Sequence, residues 1–351
     1  MKKELLIASA LTASLGLANV AQAGANVSYS GSVLAGVTAD DVGGADTGQT
    51  AVQSSELSFS IDQTTDSGIK WSTSLETVNE GAAAANHGGL TLTFNDGSTL
   101  DLIEAGSAFG GAIASIPAAS GSQGVTNIST NNSPTDLDWA DASDNVGFDW
   151  GSAADFGGID GLTVGLSAAF GNDTSTTGSS GAETTYSAGL TYAMDAGDTA
   201  VTIGAGVINA TSDSSAALND KASSAAFSIS AVTGNLTIGG GMSNGSGTFS
   251  KTTTDGELDD VSYAEAGASY VSGDMTLTVS MVQGDASDST ALGTAGAGSD
   301  EHSSVSGSID YAVADGISAT IGYTDVDNTN DGTLSTTNSG SSWYVGATVS
   351  F

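Results

Sequence analysis

The chain repeats one short unit along most of its length. Each unit is a run of about 8–12 residues in which apolar and polar side chains alternate, followed by a turn. Leu90, Leu92 and Phe94, for example, alternate with Thr91 and Thr93. Successive side chains of a β-strand point to opposite faces, so this alternation predicts strands with one apolar and one polar face.

We count sixteen such segments. They lie at residues 26–37, 52–62, 68–77, 88–95, 98–106, 144–151, 161–170, 182–194, 198–210, 221–231, 234–244, 260–271, 274–283, 302–313, 316–325 and 340–351. Their connections are alternately short and long, and the longest covers about residues 107–143. The fold class is therefore all-β, and short turns at one end with long polar loops at the other are typical of a barrel in an outer membrane.

The short connections carry recognisable turn chemistry. Asp96-Gly97 separates two alternating runs, and both central residues of such a hairpin can take positive φ. Similar pairs stand at Thr233-Gly234, Ser272-Gly273 and Asp315-Gly316. In segment 260–271 two tyrosines, Tyr263 and Tyr270, fall on opposite parities, which predicts either a β-bulge or a misplaced segment boundary there.

The first residues read as a secretory signal peptide. Met1-Lys2-Lys3 is positively charged, residues 5–20 are apolar, and Ala21-Gln22-Ala23 matches a cleavage site. We expect residues 1–23 to be removed and residues 24–351 to form a single domain. No later stretch is long and apolar enough for a membrane-spanning helix, so any membrane crossing must use strands.

The charge balance excludes several function classes. Forty acidic residues stand against five basic ones, all of them lysines, and only Lys70, Lys221 and Lys251 follow the signal peptide. Nucleic-acid binding needs a basic surface and is excluded.

No enzyme or metal motif is apparent. There is no cysteine, and His87 and His302 lack metal-ligand spacing. We therefore predict neither catalysis nor a cofactor. Clustered loop acids, as in residues 325–332, predict at most weak Ca²⁺ or Mg²⁺ binding.

A transmembrane antiparallel β-barrel explains the pattern better than a soluble sandwich. An even number of antiparallel strands can close and satisfy every backbone group, which lipid requires. Aromatic residues lie near segment ends, as in the aromatic girdles of membrane barrels: Trp71, Trp150, Phe170, Trp343 and Phe351. The other face consists of Ser, Thr, Gly and Asp rather than core residues, and sixteen strands leave a water-filled channel.

The carboxy-terminal sequence GSSWYVGATVSF alternates to its last residue and ends on Phe351. In length, strand count, turn alternation and this ending, the chain resembles the trimeric general porins of Gram-negative bacteria. The resemblance implies an outer-membrane homotrimer with short periplasmic turns and long extracellular loops. It also implies that the third long loop folds into the lumen, that Phe351 is read by the barrel assembly machinery, and that small hydrophilic solutes diffuse through passively.

The same resemblance suggests a pore constriction. The third loop contains Asp136, Asp138 and Asp141, and Glu104 lies just before it. Lys70 has the polar parity of the third segment and could face the lumen as a cation, and Glu76, Asp101 and Asp149 are candidates for the pore wall. The family usually sets arginines opposite the loop carboxylates, but this chain has no arginine. Carboxylates without counter-cations predict a preference for cations over anions.

One alternative is a secreted acidic structural protein of the surface-layer or adhesin type. Such proteins share the cysteine-free composition rich in Gly, Ser, Thr, Ala and Asp. They would show a fixed internal repeat, whereas these segments have similar lengths without repeated words.

Overall fold

The structure is a computed structural model, and it describes residues 25–42, 45–80, 82–102, 107–120, 137, 146–170, 184–211, 221–247, 258–288, 299–329 and 338–351. These residues form a closed barrel in which every neighbouring pair of strands is antiparallel. The strands are β1 (Asn26–Val42), β2 (Ala45–Thr64), β3 (Lys70–Glu80), β4 (Ala82–Thr93), β5 (Thr99–Leu102), β6 (Val146–Gly151), β7 (Leu162–Phe170), β8 (Thr184–Ala196), β9 (Thr199–Thr211), β10 (Lys221–Thr233), β11 (Leu236–Ser246), β12 (Leu258–Ser272), β13 (Met275–Asp288), β14 (Ser299–Ala314), β15 (Ile317–Thr329) and β16 (Asn338–Ser350). The predicted fold class and strand number are confirmed. The predicted signal peptide lies outside the described residues.

The first and last strands close the barrel. β1 pairs with β16 from Ser32↔Ser350 to Val42↔Gly340 without a register shift. Beyond β16, the backbone N–H and C=O of Phe351 exchange hydrogen bonds with Gly31, each 3.0 Å long. Closure leaves the sheet without an edge, so the strands satisfy one another's backbone groups, as lipid demands.

The two faces of the sheet differ as the alternation predicts. On β13 the outward side chain of Val279 is 59% exposed, whereas the neighbouring inward Thr278 is 6% exposed. Outward residues of the other strands are also exposed and apolar, including Val305, Ile321 and Val345. A soluble sandwich would bury these side chains, so the barrel faces hydrocarbon outward.

No helix in the described part of the chain combines the length and apolar character needed to cross a membrane.

Three of the short turns share one backbone pattern. In three hairpins the two-residue loops are Gly197-Asp198, Gly234-Asn235 and Gly273-Asp274, and only the glycine has positive φ. Positive φ at the first central residue alone is the pattern of a type II′ turn.

The Asp96-Gly97 connection is a different kind of turn. Gly97 N–H donates to the Phe94 carbonyl, Phe94 N–H donates to the Ser98 carbonyl, and Gly97 alone has positive φ. This is a three-residue hairpin loop that ends in a glycine bulge. The hairpin predicted at Asp96-Gly97 is confirmed, since β4 pairs with β5 across it. In each of these turns, however, only the glycine takes positive φ, although both central residues could.

Of the two alternatives for segment 260–271, the bulge between the tyrosines is wrong, and the strand itself extends from Leu258 to Ser272. β12 pairs with β13 in unbroken register from Asp260 to Ser272, and its only register shift lies between Leu258 and Asp260. The two tyrosines occupy opposite faces instead. Tyr263 points into the barrel and is 3% exposed, whereas Tyr270 points outward and is 47% exposed.

Candidate functional site

Residues 107–120, here called the strap, leave the wall after β5 and lie against the inner face of the barrel. The strap opens with a short helix, α1 (Ala108–Gly111). Ser107 caps this helix, because its Oγ accepts hydrogen bonds from the N–H groups of Phe109 (3.1 Å) and Gly110 (3.3 Å). The third long loop therefore folds into the lumen, as the resemblance implies, through these fourteen residues.

The strap crosses the inner wall from β7 to β14. Its first residues contact β7 and β8, Ala114 reaches β10, and Ser120 reaches β14. Seven strand spacings of about 4.8 Å amount to about 34 Å. Twelve extended residues reach about 40 Å, so the backbone of the strap must be nearly fully extended along the curved wall after its single helical turn.

Serine hydroxyls on the wall accept the backbone N–H groups of the strap. The donor and acceptor pairs are Ala108 and Ser167 (3.1 Å), Phe109 and Ser187 (3.1 Å), Ala114 and Ser228 (2.7 Å), Ala119 and Ser280 (3.1 Å), and Ser120 and Ser308 (2.9 Å). A neutral hydrogen bond of this kind contributes about 1 kcal/mol net, and leaving its donor buried and unpaired costs about 1–3 kcal/mol.

Apolar contacts complete the attachment. Phe109 is fully buried and packs with Ile208 of β9 and Ala226 of β10. The strap sequence, SAFGGAIASIPAAS, contains no charged side chain. Any charged group near the strap therefore belongs to the wall or to another part of the chain, and not to residues 107–120.

One wall carboxylate lies directly beside the strap. Asp149 lines a cavity of about 250 Å³ together with Ala108, Gly111 and Ala112. Asp101 is its partner on β5, and the two aspartates face each other in register. Asp101 Oδ1 is buried without a hydrogen-bond partner.

Lys70 and Glu76 both have inward parity on β3. Lys70 is the first residue after the short turn at residues 65–69, and its Nζ lies 3.5 Å from Asp62 Oδ2 of β2. Ser228 of β10 and Ser280 of β13, which bind the strap, each lie five residues along the strand from its short-turn end. At about 3.3 Å per residue, Lys70 therefore stands roughly 16 Å along the strand direction below the strap. It lies at the barrel rim, in an ion pair.

Four predicted constriction residues, Glu104, Asp136, Asp138 and Asp141, lie outside the described residues. Leu137, which lies between Asp136 and Asp138 in the sequence, is described. It is 2% exposed, and its Cδ1 lies 2.6 Å from where a side chain at Gly241 of β11 would begin. Leu137 therefore packs against the wall that the strap also covers.

Sequence reasoning missed several inward acids that share the parity of neighbouring serines. Asp310 Oδ2 accepts from Ser308 Oγ (3.2 Å), and Asp310 Oδ1 accepts from Thr320 (2.5 Å). Glu265 Oε2 accepts from the Tyr263 hydroxyl (3.0 Å). Parity within segments 260–271 and 302–313 was the signal that could have found them. In the described strands the inward acids include Asp40, Glu56, Asp62, Glu76, Asp101, Asp149, Glu265 and Asp310.

The described residues contain no group of three or more His, Cys, Asp or Glu side chains arranged to hold a metal ion.

A membrane barrel with a polar lumen and an inserted strap has the architecture of a diffusion channel. The sequence matches the Gram-negative porin family over residues 8–331. The chain belongs to this family. The porin therefore resides in the outer membrane and forms a channel for small solutes, and its family consists of channels rather than enzymes.

Solved porin structures share the fold at low sequence identity. OmpF of Salmonella typhi, in complex with daunomycin, has a TM-score of 0.67 at 15% identity, covering 93% of this chain and 98% of its own. DcaP of Acinetobacter baumannii has a TM-score of 0.65 at 13% identity, covering 94% of this chain and 99% of its own. OmpT of Vibrio cholerae, in its trimer form, has a TM-score of 0.62 at 13% identity, covering 93% of this chain and 100% of its own. No curated protein matches the sequence.

Proposed function

We propose that this porin is a passive channel for small hydrophilic solutes that prefers cations. The observation that carries the preference is the inner wall, where the described strands present eight or more carboxylates. The opposing inward cation that the described strands present is Lys70, which is already paired with Asp62. A wall of one sign raises the local concentration of counter-ions, so K⁺ should enter more readily than Cl⁻.

The reversal potential in a KCl gradient across a planar bilayer tests this preference. We expect the wild-type channel to pass K⁺ faster than Cl⁻, and the preference to weaken at high salt, where the Debye length falls to about 3 Å at 1 M. The double variant Glu76→Gln/Asp149→Asn should lower the permeability ratio of K⁺ to Cl⁻. Lys70→Glu should raise it.

Asp325→Asn/Asp327→Asn is the matched control. Both aspartates have outward parity on β15 and are exposed toward its long-loop end, so the same loss of two negative charges should leave the ratio almost unchanged. An anion-preferring wild type would refute the electrostatic proposal. A response to this outward pair equal to that of Glu76→Gln/Asp149→Asn would show that the overall charge matters rather than the charge of the lumen.

We also propose that three copies assemble, since OmpT of Vibrio cholerae, which shares the fold, forms a trimer. Unheated samples should migrate as a trimer on detergent gels and heated samples as a monomer. Migration as a monomer under both conditions, with native barrel content by circular dichroism, would contradict this.

A further inference from the structure

The wall beneath the strap is made of glycine as well as serine. A Cβ built at Gly189, Gly204 or Gly267 would overlap a strap carbonyl oxygen, of Ala108, Ala112 and Pro117 respectively. Gly165, Gly206, Gly239 and Gly241 also lie against strap atoms. The backbone of the strap therefore approaches the backbone of the wall more closely than any side chain would allow.

Serines and glycines alternate on the inward parity of the same strands. Gly165 and Ser167 are two residues apart on β7, and so are Ser187 and Gly189 on β8. Across the sheet, Gly267 of β12 pairs with Ser280 of β13. Each glycine provides space for the strap, and each serine provides an acceptor for a strap N–H at the same height.

The far end of the strap is held by a chain of hydrogen bonds. Ser120 N–H donates to Ser308 Oγ, which in turn donates to Asp310 Oδ2 at 3.2 Å. Thr320 of β15 donates to the other oxygen of Asp310. The carboxylate therefore orients the serine hydroxyl so that its lone pair faces the strap.

We propose that these inward serines and glycines form a seat that holds the strap flat against β7–β14, and that the seat residues are positioning residues that set the aperture of the channel. The inference rests on the proposed channel function. The contacts of the seat to the strap are neutral hydrogen bonds and close packing, so salt does not screen them. The seat therefore keeps the aperture constant over the salt range in which the ion preference weakens.

The first experiment removes three hydroxyls of the seat together. Ser228→Ala/Ser280→Ala/Ser308→Ala leaves strap donors without acceptors while it keeps the wall and its charges. The control, Ser58→Ala/Ser60→Ala/Ser74→Ala, removes inward hydroxyls from β2 and β3, which the strap does not bond in the described residues. Liposome swelling with sugars of increasing size measures the aperture, and single-channel recordings measure conductance and open-state noise.

We expect the seat variant to raise the relative permeation of the largest sugars several-fold and to raise open-state noise, with no such change in the control. Ser280→Thr keeps one acceptor and should restore the size profile in part when it replaces Ser280→Ala in the triple variant. A triple variant with native barrel content and a wild-type size profile would overturn the proposal. A wild type that forms no channel would instead refute the proposed function.

The second experiment tests the seat without any channel measurement. The chain has no cysteine, so Ala108→Cys/Gly165→Cys would contain a single pair. A Cβ built at Gly165 lies 3.0 Å from Ala108 Cβ, within a small shift of the roughly 3.5–4.5 Å of a disulfide. When the folded full chain is treated with an added oxidant such as copper phenanthroline and oxygen, which takes up the two electrons, this pair should form a disulfide and lose thiol labelling. Ala108→Cys/Ser74→Cys should remain reduced under the same treatment. A test pair that stays reduced, or a control pair that oxidises equally, would show that the strap does not rest on this wall.

Discussion

At the scale of single residues, inward positions decide what the lumen can hold. Serine and glycine look interchangeable on the polar face of a strand, yet here they have separate tasks. Ser228 accepts a strap N–H, whereas Gly204, on the neighbouring strand, leaves room for a strap carbonyl. A larger residue at Gly204 would displace the strap even if it were polar. The composition of the inner face therefore reflects the strap as well as the water in the channel.

A turn residue offers a test at the same scale. Ser98 donates to Asp96 Oδ1 through its hydroxyl (2.7 Å) and its backbone N–H (3.0 Å), and the hydroxyl hydrogen bond is the largest cause that lowers the pKa of Asp96 below its ordinary value. Ser98→Ala should therefore raise that pKa, whereas Ser272→Ala in another hairpin should leave it unchanged. Carbon-13 NMR titration of the aspartate carboxyls in detergent micelles measures both.

The sign of the linked stability follows from the lowered pKa. The ionised carboxylate stabilises the turn at pH values above the unfolded-state pKa, and this contribution is lost as the pH falls through the folded-state pKa. Ser98→Ala should weaken that dependence. An unchanged Asp96 titration in Ser98→Ala would contradict the role of the hydroxyl.

At the scale of elements, β16 closes the barrel against β1. Phe351, which follows β16, forms hydrogen bonds with Gly31 through its backbone groups, and its ring lies over Gly31, where the Cζ atom would be 2.8 Å from an added Cβ. A substitution that removes the ring therefore leaves the backbone pairing intact. The role of Phe351 as an assembly signal stays a prediction. It can be tested apart from the stability of the folded barrel, because the backbone hydrogen bonds do not depend on the ring.

We expect Phe351→Ala to lower the amount of barrel in the outer membrane of cells while it refolds in detergent much like wild type. Phe148→Ala removes another exposed aromatic ring, from β6, and is the matched control. Membrane fractionation and heat-shifted gel mobility measure the two outcomes. Equal losses in both variants would point to a general need for outward aromatics instead of a terminal signal.

At the scale of the whole molecule, the closed barrel separates an apolar exterior from an acidic lumen and acidic connections. The formal net charge is −35, so self-repulsion works against the compact state. Divalent cations would relieve that repulsion wherever loop acids gather, and weak Ca²⁺ or Mg²⁺ binding stays a prediction for this chain.

Thermal unfolding in detergent tests the binding. Added millimolar Ca²⁺ should raise the melting temperature relative to chelator, because a ligand that binds the folded state alone stabilises it. NaCl at equal ionic strength is the control for screening. A melting temperature that responds equally to both salts would leave screening as the whole effect.

Much of the fold was accessible from residue order, and much of the site was not. The alternation predicted sixteen strands because successive side chains face lipid and water in turn, so that every second residue of a strand is apolar. Asp101 and Asp149, which we expect on the pore wall, pair in register on β5 and β6, and their role in the channel stays a prediction. The turn type and the two faces of β12 were not predicted. Two-residue loops that begin with glycine depend on the twist of the paired strands, and the inward position of Tyr263 depends on what the lumen contains.

By itself, then, the order of residues determined an outward apolar face, an acidic inner face and a closed antiparallel sheet, since these follow from local periodicity and from the need to pair every backbone group in lipid. Only the tertiary structure decided which wall the strap covers and which serines and glycines hold it. Those contacts join residues as distant as Ser120 and Ser308, and no local pattern encodes which two inward hydroxyl and amide groups will meet once the barrel has closed.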